Sequence, residues 1–154
     1  MTESEKVHGS LRTASPVRLW RGGFLRPCSG PVTTEYGLSR TYNGVPREGY
    51  FHGGLDFGAP EGTPVISPAD GRVVLVGQET DGFAYHGTCV TVDHGHGVTS
   101  LLMHLSASVV KTGDVVRAGQ LVGAVGETGI ATGPHLHWGL HVGGDAVDPT
   151  PWLE

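Results

Sequence analysis

The chain has 154 residues, a formal net charge of −5 and no stripe of Lys or Arg, which excludes a nucleic-acid surface built on phosphate contacts. No apolar run reaches the roughly 18 residues of a membrane-spanning helix. Twenty-six Gly and ten Pro accompany short β-branched apolar runs, a composition that points to a turn-rich β domain rather than to disorder.

Residues 1–22 read as a polar N-terminal tail or linker, and residues 23–154 as one globular domain. The first six residues are polar and lack the apolar region of a signal peptide. Trp20-Arg-Gly-Gly-Phe24 opens the domain. Residues 32–36 are a short strand candidate, and 37–50 a long loop with a turn at Asn43-Gly44. His52 and Asp56 lie in a Gly-rich bend. Strands follow at 65–66 and 72–76, around the turn at 68–71, and a loop covers 77–87. Strands at 88–93 and 98–105 flank His94-Gly-His-Gly97 as a hairpin, which leaves His94 and His96 in solvent. Residues 113–119 carry a tight turn, 121–125 a strand, 126–134 a Gly/Thr loop and 135–142 a final strand. No stretch shows helical periodicity over ten residues. The expectation is an all-β fold, a small antiparallel β-sandwich or barrel-like core with long groove-forming loops and little helix. Cys28 and Cys89 are not in a C-x-x-C pair and read as small buried apolar residues, with one disulfide open.

The chemistry concentrates in histidine. His135 and His137 sit two apart on a strand and share a face. His52 and Asp56, four apart with Gly53 and Gly54 between them, can converge on one point. Two imidazoles and a carboxylate hold Zn²⁺ and leave a fourth position open, the ligand count of a catalytic site. His52, Asp56 and His137 are therefore the candidate metal ligands, one zinc per chain. His135 either ligates or stands beside the metal. His104, at the end of a strand, is placed as a general acid or base. His141 continues the face of His135 and His137. His86 is placed on a groove wall, as are Tyr42, Asn43, Tyr50, Phe83 and Tyr85, and His8 lies in the tail without a role.

The run from His52-Gly-Gly-Leu-Asp56 through Asp70-Gly-Arg-Val73, Asp93-His-Gly-His-Gly97, His104-Leu-Ser106, residues 113–123 and Gly133-Pro-His-Leu-His-Trp138 resembles the lysostaphin/LytM-type zinc endopeptidases, peptidase family M23. The resemblance covers residue 24 to the end. It implies a zinc metalloendopeptidase that hydrolyses peptide bonds of bacterial peptidoglycan, in stem-peptide cross-links or an interpeptide bridge. It also implies His52, Asp56 and His137 on zinc, His104 and His135 assisting catalysis, and action in the cell envelope or after secretion. A monomer is expected. Two positions depart from the family pattern. Leu102 and Met103 precede His104 where an aromatic and a small residue are common, and Gly139 follows Trp138 where an acidic residue is common. Neither is a ligand, and both bear on substrate preference.

Two rival classes remain. A catalytically silent relative that binds or regulates wall hydrolases would be expected to lack ligands, and here all are present. A biotinyl or lipoyl carrier shares a hairpin like residues 113–123 but needs a Lys at its tip, and the only lysines are Lys6 and Lys111.

Overall fold

The structure, a computed structural model, describes residues 1–37, 41–42, 45–46 and 52–154. Its strands are β1 (Val32–Thr34), β2 (Thr41–Tyr42), β3 (Val45–Pro46), β4 (Leu55–Gly58), β5 (Pro64–Ile66), β6 (Gly71–Gly77), β7 (Thr88–Gly95), β8 (Val98–Ser108), β9 (Val115–Val116), β10 (Leu121–Val125), β11 (His135–Val142) and β12 (Asp145–Val147). Ten of them form one antiparallel sheet with a main path β1-β4-β11-β8-β7-β6-β9. There β10 pairs with β5 and β8, and β12 with β11. β2 and β3 pair separately with each other. The all-β expectation holds. Asp56, expected in a bend, lies within β4 because Gly53 and Gly54 precede the strand rather than interrupt it. No helix among the described residues is long and apolar enough to cross a membrane.

Alternation along β11 sets the layout. Leu136, Trp138 and Leu140 are fully buried and join the main core with Phe24, Leu55, Phe57, Leu102 and Leu105. His135, His137 and His141 take the other face. Residues directly opposite in antiparallel strands share a face. His137 is opposite Asp56 on β4 and Met103 on β8, so these three stand side by side.

The turn of the β7–β8 hairpin has positive φ at both His96 (52°) and Gly97 (77°), the twist that a tight hairpin requires. His96 is exposed there. His94 corrects the sequence expectation, because β7 runs on to Gly95 and places His94 beneath the sheet with 0% exposure. Trp138 Nε1 donates to Ser100 Oγ at 3.0 Å. Ser100 Oγ lies 2.8 Å from His94 Nε2, and His94 Nδ1 donates to the Asp70 carbonyl at 2.9 Å. The chain is satisfied if Ser100 donates to Nε2, and it joins the turn ahead of β6 to β7, β8 and β11.

Burial pushes the His94 imidazole down to about 4, against the opposing pull of the Asp70 carbonyl and the Asp93 and Asp70 charges. In the unfolded chain His titrates near ~6.5. The folded state therefore resists a proton that the unfolded state accepts, and stability present above pH 6.5 is lost as pH falls toward 4. The expected loss is roughly 3 kcal/mol. Urea unfolding at pH 7 and 4.5 checks it. The midpoint drop should be smaller in His94→Gln, and an equal drop in both proteins contradicts it.

Residues 1–22 are not a tail in the structure. Helix α1 (Glu3–Leu11) starts in a capping box, in which Glu5 N donates to Thr2 Oγ1 and Thr2 N to Glu5 Oε2. Val7 and Leu11, four apart on one face, are 1% and 2% exposed and pack with Phe83, Cys89, Leu101 and Met103. Past the helix, Leu19 N donates to His94 O and His96 N to Ser15 O. Polar composition hid two apolar residues that are enough to dock a nine-residue helix. Cys28 and Cys89 are buried as free thiols in separate clusters.

Candidate metal centre

Three side chains from two strands and one loop meet at Asp56. Its Oδ1 lies 3.2 Å from His52 Nε2 and 2.9 Å from His137 Nδ1. One donor atom from each of the three residues falls within 4.8 Å of the others. Zinc bonds of about 2.0–2.1 Å in a tetrahedron separate neighbouring donors by roughly 3.3 Å, so the spacing fits one ion. His52 Nδ1 donates to the Glu35 carbonyl at 3.0 Å, which turns Nε2 toward Asp56 and fixes its lone pair there. Burial raises the Asp56 carboxyl, but the flanking His137 and His52 rings outweigh it and hold the group well below the usual carboxylate range. Burial pushes His137 down despite its bond to Asp56. An ionised carboxylate and neutral imidazoles are the forms a metal requires.

His104 and His135 stand beside this group, with ring centroids 4.9 Å apart and His104 6.5 Å from the His137 ring. His104 Nδ1 donates to the Thr128 carbonyl at 2.8 Å and His135 Nδ1 to the Gly133 carbonyl at 2.9 Å. A carbonyl only accepts, so both rings carry their proton on Nδ1 and keep Nε2 as the basic atom. Burial pushes His104 down to about 4, which keeps it neutral at pH 7. Its backbone φ is 65°, a left-handed conformation that costs a non-glycine residue about 1 kcal/mol or more. The β7–β8 register slips here, Thr88 facing Leu105 but Val90 facing Leu102. The extra β8 residue is a bulge that re-aims the His104 side chain.

All five sequence candidates therefore come together on one face of the sheet. They line a groove of about 610 Å³ whose rim includes Tyr85, His86 and Ile130. Phe83 does not line it. Its ring is 5% exposed and packs under α1, because the loop turns it inward against Gly77. Asn43 and Tyr50 and the Tyr42 side chain lie outside the described residues. The groove also takes Val7, His8 and Leu11 from α1, which sequence reading left without a role. The Thr2-x-x-Glu5 capping signal ahead of Val7 and Leu11 is the feature that marks them. Glu3 fastens the helix to the groove rim, its carboxylate accepting from Tyr85 N, His86 N and His86 Nδ1, the last at 2.7 Å.

Close approach of β4 and β11 requires Gly54. A Cβ there would lie 2.5 Å from the Trp138 carbonyl and 2.8 Å from His137 Nε2. Gly54→Ala should push His137 aside and lower zinc affinity by about 10–100-fold, as loss of an orienting contact does. A competition titration with a chromogenic chelator measures it, and wild-type affinity would show that the strand yields without moving the ligand.

The model of peptidase family M23 matches residues 50–149, and the chain belongs to that family. It is 43% identical over 97 residues to the peptidoglycan DD-endopeptidase ShyA of Vibrio cholerae, covering 63% of this chain and 22% of that protein. It is 36% identical over 152 residues to the murein hydrolase activator EnvC of Escherichia coli, covering 99% of this chain and 33% of that protein. A putative M23 peptidase from Pseudomonas aeruginosa superposes with a TM-score of 0.81 at 36% identity, covering 98% of this chain and 59% of that one. The chain thus spans about a fifth to a third of the curated relatives it matches.

Proposed function

We propose that the chain is a zinc-dependent endopeptidase acting on peptide bonds of peptidoglycan in the cell envelope or outside the cell. The observation that carries this is the donor spacing around Asp56, with two further histidines holding basic Nε2 atoms next to it. His52, Asp56 and His137 would hold the ion. When bound, zinc polarises a carbonyl and lowers the pKa of water. The chain's own part is to position and move protons. His104, neutral and locked by Thr128, accepts the proton of the attacking water on Nε2. His135, when its Nε2 has taken up a proton from solvent, donates that N–H as a hydrogen bond to the oxygen of the tetrahedral centre, a contribution of about 3 kcal/mol for one donor. His104 then returns its proton to the leaving amine. Cleavage at the cross-link or at an interpeptide bridge uses the same arrangement.

A second reading is a silent regulator of wall hydrolases. The match to EnvC over nearly the whole chain, α1 included, favours it, and the five intact site residues favour the enzyme. Incubation with purified peptidoglycan separates the two. The enzyme releases fragments that have each gained one water at an amide, and a chelator stops the release. Zinc-loaded protein that leaves peptidoglycan intact, yet raises the activity of a separate wall hydrolase, supports the regulator instead.

A further inference from the structure

We propose that His141 of β11 and His8 of α1 form a second subsite in the groove that binds a carboxylate of the substrate peptide. The inference rests on the peptidase reading for the identity of the substrate, but not for the existence of the subsite. Both residues line the same groove as the five site residues. The His141 ring lies next to that of His137 because Gly139 separates them. A Cβ at Gly139 would sit 3.0 Å from His141 Cε1 and 3.7 Å from His137 Nε2.

The polarity of the ring points to an acceptor as its ligand. His141 Nδ1 is enclosed and has no hydrogen-bond partner. A buried N–H without an acceptor costs about 1–3 kcal/mol, so Nδ1 keeps its lone pair and Nε2 carries the proton. His52, His104 and His135 are the reverse, each with Nδ1–H held by a carbonyl. Three rings in the groove thus present a basic nitrogen and His141 presents a donor. On α1, His8 Nδ1 lies 3.1 Å from Ser4 Oγ. A serine hydroxyl can donate to that nitrogen, which again leaves Nε2–H.

Seven imidazoles and the single carboxylate of Asp56 line the groove, with no Lys or Arg among the described residues. Stem peptides end in carboxylates. A donor pair several residues along β11 from the reaction centre would hold such an end while the scissile amide lies over Asp56. α1, which supplies half of the pair, lies outside the matched family segment at residues 50–149.

The test is binding to zinc-loaded protein of N-acetyl-D-alanyl-D-alanine and of its C-terminal amide, followed by the imidazole Cε1–H signals and by titration. The wild type should bind the carboxylate more tightly than the amide, with the His141 and His8 signals shifting. In His141→Leu that preference should fall about fivefold, the step between a charge-assisted and a neutral hydrogen bond, with zinc content unchanged. His141→Gln, which keeps a donor, should recover part of it. His8→Ala, at an exposed position, should lower the preference without touching the core. An unchanged preference in His141→Leu and His8→Ala assigns carboxylate binding to zinc alone and overturns the proposal, as does the absence of any shift at His141. Failure of the wild type to cleave peptidoglycan would instead refute the peptidase reading while leaving these binding differences in place.

Discussion

Asp56→Ala is expected to empty the metal centre. Asp56 contacts both candidate imidazole ligands, at 3.2 Å from His52 and 2.9 Å from His137. Loss of an orienting partner outside the ligand set already costs 10–100-fold in metal affinity, and removing a ligand should cost more than about a hundredfold. Peptidoglycan hydrolysis should fall to background. The fold should persist, because Asp56 sits on the face of β4 away from Leu55 and Phe57, which carry its packing. Metal analysis after dialysis, with a circular dichroism control, reads the outcome. A full zinc complement in a folded Asp56→Ala protein would remove Asp56 from the ligand set.

His104→Ala is expected to separate binding from turnover. His104 contacts the Thr128 carbonyl and the His135 ring but not Asp56, so zinc should remain. Turnover should fall by about 10²–10⁴, the range for a general base. Alanine at φ 65° keeps the backbone strain and loses the ring, so His104→Asn is the companion variant. Asparagine tolerates the left-handed conformation but does not take up a proton. Both variants should be slow by a similar factor. Wild-type rates in His104→Asn would mean that the bulge, and not the imidazole, matters.

The strand that carries His135 and His137 was legible because it alternates. Residues 135–142 have an apolar side chain at every second place after a Gly-rich loop, and the structure puts β11 at those same bounds, as it puts β10 on the short apolar run at 121–125. The five candidate residues were legible from residue type and spacing. What brings them together was not. The register that sets His137 opposite Asp56 is a long-range pairing with no local mark, and the slip that re-aims His104 depends on how β7 meets β8. The N-terminal helix escaped because two apolar residues, Val7 and Leu11, do not make a periodic run. His94 was read as solvated because a hairpin turn is usually wet. One more strand residue moved it under the sheet, where Ser100 and the Asp70 carbonyl satisfy it. His141 carried no signal beyond sharing a face, and its meaning depends on Gly139 and on a helix that the sequence reading had left as a tail.

X-ray absorption at the zinc edge, on protein loaded with one equivalent and assayed in parallel on peptidoglycan, tests the central claim most directly. The account predicts one tightly held zinc with two imidazole nitrogens and oxygen in its shell, no sulfur, and peptidoglycan cleavage that rises in proportion to zinc content. A sulfur-containing shell, failure to retain zinc, or cleavage that is the same with and without the ion would contradict it.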